Sequence, residues 1–234
     1  MKKSTFFWIV FLYILLALVL PPIVAQFFSE RQAEIVAHYP FQVFFNGIIA
    51  FLIYIFSVKG WIFSEPILRE KKPFFVFSSN ALVCFGVLCL SSVIFETISY
   101  FLSAGGGIQK VVFPSDFLGF INFFFGVIFA AFFEEVIYRF FLPNAFKEIF
   151  GRIKFFRSSG NSKENPRLSV LCEGLSLLLF ALGHIYLGLF GFLNAIVCGA
   201  ALRFCMIRTK SIWIPFFIHA LYNSLSFLLL WLLR

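Results

Sequence analysis

Seven apolar stretches alternate with short polar or turn-rich breaks along the chain, near residues 6–28, 41–58, 75–102, 117–143, 172–189, 191–208 and 212–233. About 20 apolar helical residues cross a hydrocarbon core. The pattern therefore predicts an all-α fold, a polytopic transmembrane bundle of about seven spans forming one membrane domain over residues 1–234. The breaks include Ser29–His38, Lys59–Pro73, Gly105–Gly107 and the basic stretch Lys147–Arg167. No internal repeat accompanies them.

Composition agrees with the pattern. Of 234 residues, 61% are hydrophobic and 13% charged, whereas a soluble domain is nearer half apolar and a quarter charged. The formal net charge of +8 does not mark a nucleic-acid surface, because the basic residues sit in loops between apolar runs rather than along one stripe. Fifteen of the nineteen Lys and Arg fall in alternate connections: at Lys2 and Lys3, within 59–73, within 144–170 and at 203–211. Positive charge favours the cytoplasmic side, so the amino terminus is expected there, in a membrane that is expected to be the bacterial inner membrane. Cleavage of residues 1–25 as a signal peptide is the alternative, but Ile23-Val24-Ala25 is a poor small-x-small site. The five cysteines form no CxxC pair and read as small packing residues.

Charge inside a span is expensive, about 2.5–3.5 kcal/mol per group even on lenient scales. The fourth span nevertheless contains Glu134-Glu135-Val136-Ile137-Tyr138-Arg139. The fifth holds Phe180-x-x-x-His184 and the seventh His219-x-x-x-Asn223; the remaining histidine, His38, lies in a connection. Glu135 and Arg139 are four apart, a spacing that pairs them on one helix face. Glu134 lies about 100° round the helix and is expected to stay free of that pair. At ~1.5 Å per residue, Glu134 is roughly 14 Å from the end of its span near Pro143, His219 roughly 12 Å in from Ser211, and His184 roughly 15–18 Å in from residues 172–174. Three helices thus bring these groups to similar depth.

Such a set suits amide hydrolysis, which needs an activated water, a proton carrier and donors for the tetrahedral oxyanion. Two other classes remain open. A metal-dependent hydrolase would use Glu134, Glu135, His184 and His219 as ligands, although no HExxH pair is present; chelator resistance would exclude it. A proton-coupled transporter would also carry acids and histidines near midplane, but with repeated halves; flux without peptide cleavage would favour it. Glu96 reads as an interfacial carboxylate and Glu173 as a solvated one.

The motifs Glu134-Glu135-x-x-x-Arg139, Phe180-x-x-x-His184 and His219-x-x-x-Asn223, in that order and entered at the last by Ser211-Ile212-Trp213-Ile214-Pro215, resemble the CAAX protease and bacteriocin-processing family of intramembrane glutamic endopeptidases. The resemblance covers about residues 117–230, which would be the catalytic core, with 1–116 as accessory spans. It implies that Glu134 and His184 activate the water, that His219 and Asn223 hold the oxyanion, and that Glu135 and Arg139 are structural. It further implies no metal and no cofactor, with a membrane-embedded or lipid-modified peptide as substrate. Family members often carry glycine after the arginine, where this chain has Phe140, and some have an eighth helix without a counterpart here.

Overall fold

The computed structural model describes residues 3–28, 35–36, 41–63, 74–102, 111–112, 114, 117–151 and 165–232. His38, the Gly105–Gly107 break and most of the basic 147–167 connection lie outside the described residues. Helix α1 (Lys3–Ile14) runs through a wider turn, Leu15–Val19, into α2 (Leu20–Phe28) as one rod. Then come α3 (Phe41–Val58) and α4 (Phe74–Leu102). Helix α5 (Phe117–Glu134) continues through a second wide segment, Glu135–Phe141, into α6 (Leu142–Phe150). Helices α7 (Pro166–Leu182), α8 (Gly188–Thr209) and α9 (Trp213–Leu232) complete seven rods among the described residues. A two-residue parallel pairing, Ile35–Val36 with Val111–Val112, ties two connections together.

Helix is the only economical form for these sequences, because hydrocarbon offers no partner for a free N–H or C=O. Among the described residues, five stretches are long and apolar enough to cross a membrane: Thr5–Phe27, Phe77–Leu102, Phe117–Phe150, Ile185–Thr209 and Trp213–Leu232. Large apolar side chains stand out into the surroundings along them, among them Leu82, Phe101, Leu118 and Phe217. Apolar surface of this extent belongs in lipid, and the chain is a multi-pass membrane protein.

Three expectations are corrected. The fifth rod is Pro166–Leu182 rather than 172–189, and it stops at Gly183. His184 consequently sits outside regular helix, before the short 3₁₀ turn Ile185–Leu187. Gly188 restarts the chain at φ +82° and ψ −179°, a conformation essentially reserved for glycine. The break turns the chain sharply where a continuous span was expected. Arg203 lies inside α8 rather than in the following turn, which begins at Lys210 with a left-handed φ of 54°. Glu173 is not solvated alone: its two oxygens take the guanidinium of Arg203, and Lys147 stands 3.9 Å away.

The main core gathers α1, the two wide segments, α6 and α7 around Phe141, Ile137, Leu142 and Cys172. A smaller core of Cys84, Leu88, Cys198, Leu202, Cys205 and Ile218 seals α4 against α8 and α9. No disulfide joins the five cysteines among the described residues, and four of them are buried.

Candidate active site

Proline explains the local form of the fourth rod. Pro143 has no N–H to give the carbonyl of Arg139, and its ring crowds that carbonyl in a regular α-helix. The helix widens just before it, and the N–H of Leu142 reaches back five residues to the carbonyl of Ile137. Such i→i−5 turns inside α-helices are frequent at functional sites. All seven residues of Glu135–Phe141 are buried.

The widened turn changes what Glu134 and Glu135 face. Glu135 is wholly buried, and His219 Nδ1 stands 2.8 Å from its Oε1. The same oxygen is 3.6 Å from Arg139 Nε, so the expected pair is present but shared with the histidine. Glu134 Oε2 is 3.6 Å from His219 Nε2, too long for a hydrogen bond. That oxygen is buried and accepts no hydrogen bond among the described residues. One imidazole is therefore bracketed by two carboxylates, one at each ring nitrogen.

Arg139 has its guanidinium 3.7 Å above the ring of Phe180, a cation–π arrangement that compensates part of the desolvation of its charge. The Phe180 carbonyl lies 2.9 Å from His184 Nδ1. With the proton on Nδ1, that carbonyl accepts it and leaves Nε2 as an acceptor. Phe180 thus serves two groups from different parts of the chain, Arg139 through its ring and His184 through its carbonyl. Gly199 lets α8 approach at this level, since a Cβ there would stand 3.0 Å from Phe180 Cδ1 and 2.7 Å from Leu177 Cδ1.

A cavity of about 370 Å³ opens beside these groups, lined by His184, His219 and Asn223 together with Phe180, Asn194 and Glu96. Glu134 and Glu135 are not among its walls; they meet it through His219. No hydrogen bond joins Glu134 to His184 among the described residues, so the expected carboxylate–histidine couple is drawn instead to His219. Two further polar lining groups, Asn194 and Tyr222, were not anticipated. Asn194 accepts from Ser91 Oγ at 2.6 Å and donates to Ser92 Oγ at 3.1 Å, and Ser92 bonds the Tyr222 hydroxyl. The one legible signal for them was the polar run Ser91–Ser92 within an apolar span. Among the described residues no three His, Cys, Asp or Glu side chains are grouped as a metal site.

A sequence profile of the family described as type II CAAX prenyl endopeptidase Rce1-like matches residues 116–225. No curated protein and no solved structure matches the chain.

Proposed function

We propose that the chain is a protease of the Rce1-like family of type II CAAX prenyl endopeptidases, whose profile matches residues 116–225, and that Glu134, His184, His219 and Asn223 carry its peptide-bond hydrolysis on a prenylated or membrane-embedded peptide. The observation that supports this reading best is the His219 ring, shared between two carboxylates and a cavity that His184 and Asn223 also line.

The chemistry follows from those positions. Glu134 has a carboxylate oxygen without a hydrogen bond and takes a proton from water at the edge of the cavity. His184, its Nδ1 committed to the Phe180 carbonyl, accepts from the same water through Nε2 and orients it. The resulting hydroxide attacks the carbonyl carbon of the scissile amide. His219 and Asn223 lie one helical turn apart on α9 and donate to the oxyanion that forms. For this, His219 carries protons on both nitrogens, and the Nδ1 proton stays with Glu135, which holds the ring in place. Collapse of the tetrahedral species breaks the C–N bond, and the proton held by Glu134 passes to the departing amine. Arg139 keeps Glu135 in place from the far side. Residues 117–230 form the catalytic core in this proposal, and 1–116 are accessory spans. The substrate enters from the cytoplasmic leaflet, with the amino terminus on that side of a bacterial inner membrane.

The test is cleavage of a set of fluorogenic peptides, prenylated and unprenylated, by the purified full chain and by Glu134→Gln. General-base removal is expected to lower kcat by about 10²–10⁴ while thermal unfolding is unchanged. Full cleavage by the variant would remove Glu134 from the mechanism. Cleavage that disappears with chelator and returns with added zinc would favour a metal hydrolase.

A further inference from the structure

The widened turn that carries Glu135 and Arg139 leaves the Tyr138 carbonyl without a backbone donor and the Arg139 carbonyl without its i+4 donor, and side chains from other helices meet both. The Leu142 N–H is spent on Ile137, and the next residue, Pro143, has none. The Tyr138 carbonyl therefore has neither its i+4 nor its i+5 partner. It accepts instead from the Ser176 hydroxyl of α7. The Arg139 carbonyl, whose i+4 residue is Pro143, accepts from Arg203 Nη1 of α8 at 2.5 Å. The Phe140 carbonyl accepts from Asn144 Nδ2 at 2.5 Å. Arg203 is fixed in turn by Glu173, which accepts from its Nε at 2.6 Å and also from its Nη2.

We infer that Arg203, gripped by Glu173, and Ser176 are positioning residues that hold the fourth rod in its wide register and thereby keep Glu134 and Glu135 against His219. An unmet carbonyl in an apolar interior is costly. Pro143 disfavours regular α geometry here, but without these donors the unmet Tyr138 carbonyl would compete for the Leu142 N–H and draw the segment back toward it. Losing one residue's worth of winding rotates everything before it by about 100° relative to α6. Glu135 would then leave His219 Nδ1, and Glu134 would leave Nε2. Neither Arg203 nor Ser176 lines the cavity, so neither touches substrate.

Only the kinetic arm of the test rests on the proteolytic reading; the spectroscopic arm does not. The chain has three histidines, so ¹⁵N-histidine NMR of the full protein in lipid nanodiscs resolves each ring, with His219 assigned through His219→Gln. The wild type should show a strongly hydrogen-bonded Nδ1–H at His219. Arg203→Lys keeps a cation beside Glu173 but cannot grip both carboxylate oxygens and still reach the Arg139 carbonyl. In that variant the His219 signal should be lost while the His184 signal remains. Cleavage of the fluorogenic peptides should fall on the order of 10²-fold in kcat at unchanged KM. Ser176→Ala, which involves no charge, should give the same signature more weakly. The charge swap Glu173→Arg/Arg203→Glu restores an ion pair but sets a carboxylate against the Arg139 carbonyl, so it should recover thermal stability and neither the signal nor kcat. An intact His219 signal in Arg203→Lys and Ser176→Ala, or full recovery in the swap, would overturn the inference. If the wild type cleaves none of the peptides, the proteolytic reading fails and the NMR comparison still decides the positioning.

Discussion

Glu135 and Arg139 are 0% and 2% exposed, and at this scale burial decides what a substitution does. Two charges placed among Phe180, Ile137 and Val136 persist because each neutralises the other's field and because His219 and the Phe180 ring take up further valences. Removing one partner strands the other. Arg139→Leu should therefore cost about 3–5 kcal/mol in reversible unfolding in mild detergent. The double variant Glu135→Leu/Arg139→Leu should recover part of that loss, since two apolar side chains replace a pair rather than orphan one charge. A double variant no more stable than the single would show that the pair is not the reason for the cost. The Glu135–Arg139 spacing was legible as a pair because α and widened turns both leave residues four apart near one another. The third member, His219, was not legible as a partner of Glu135, since 84 residues separate them and only packing of α5 against α9 joins them.

At the scale of elements, small residues set how closely helices approach and where they stop. Gly47 of α3 faces Phe129 of α5, and a Cβ there would fall 2.2 Å from Phe129 Cδ1. Gly47→Ala should destabilise by about 1–3 kcal/mol through overpacking, measurable as a lowered unfolding midpoint. Gly47→Ala combined with Phe129→Leu should relieve it. Gly188 plays a different part: at φ +82° it lets the chain turn between the end of α7 and the start of α8. This explains why the break falls at 183–188, inside the expected span 172–189, so that His184 lies in a bend. Hydropathy registers neither the bend nor the wide turn before Pro143, because both leave the apolar pattern intact and change only backbone hydrogen bonding. Proline at 143 and glycines at 183 and 188 were the available signs. Their consequences depended on which neighbours could satisfy the released carbonyls.

For the whole molecule, the distribution of basic residues is the determinant of orientation. Chains truncated after Gly151 or Lys210 and fused to a reporter fluorescent only in the cytoplasm should fluoresce. A truncation after Leu102 fused to a phosphatase active only outside should be active. The reverse pattern would place the amino terminus on the outer side and require access to the cavity from the other leaflet. Number and placement of the rods follow the apolar runs closely. Their ends agree within about three residues except at the fourth rod, which continues to Phe150, and the fifth, which runs Pro166–Leu182.

The sequence by itself determined the solvent, the helical class, the approximate spans and which polar residues are candidates for a site, because each depends on local hydropathy, spacing or the cost of charge in lipid. Tertiary structure alone decided that both carboxylates face one imidazole, that Phe180 supports Arg139 and His184 together, and that Ser176 and Arg203 satisfy the carbonyls Pro143 leaves bare. The physical reason is that a hydrogen bond between helices depends on rotation and register, and a single inserted residue in one turn changes both without altering the hydrophobic pattern from which the spans are read.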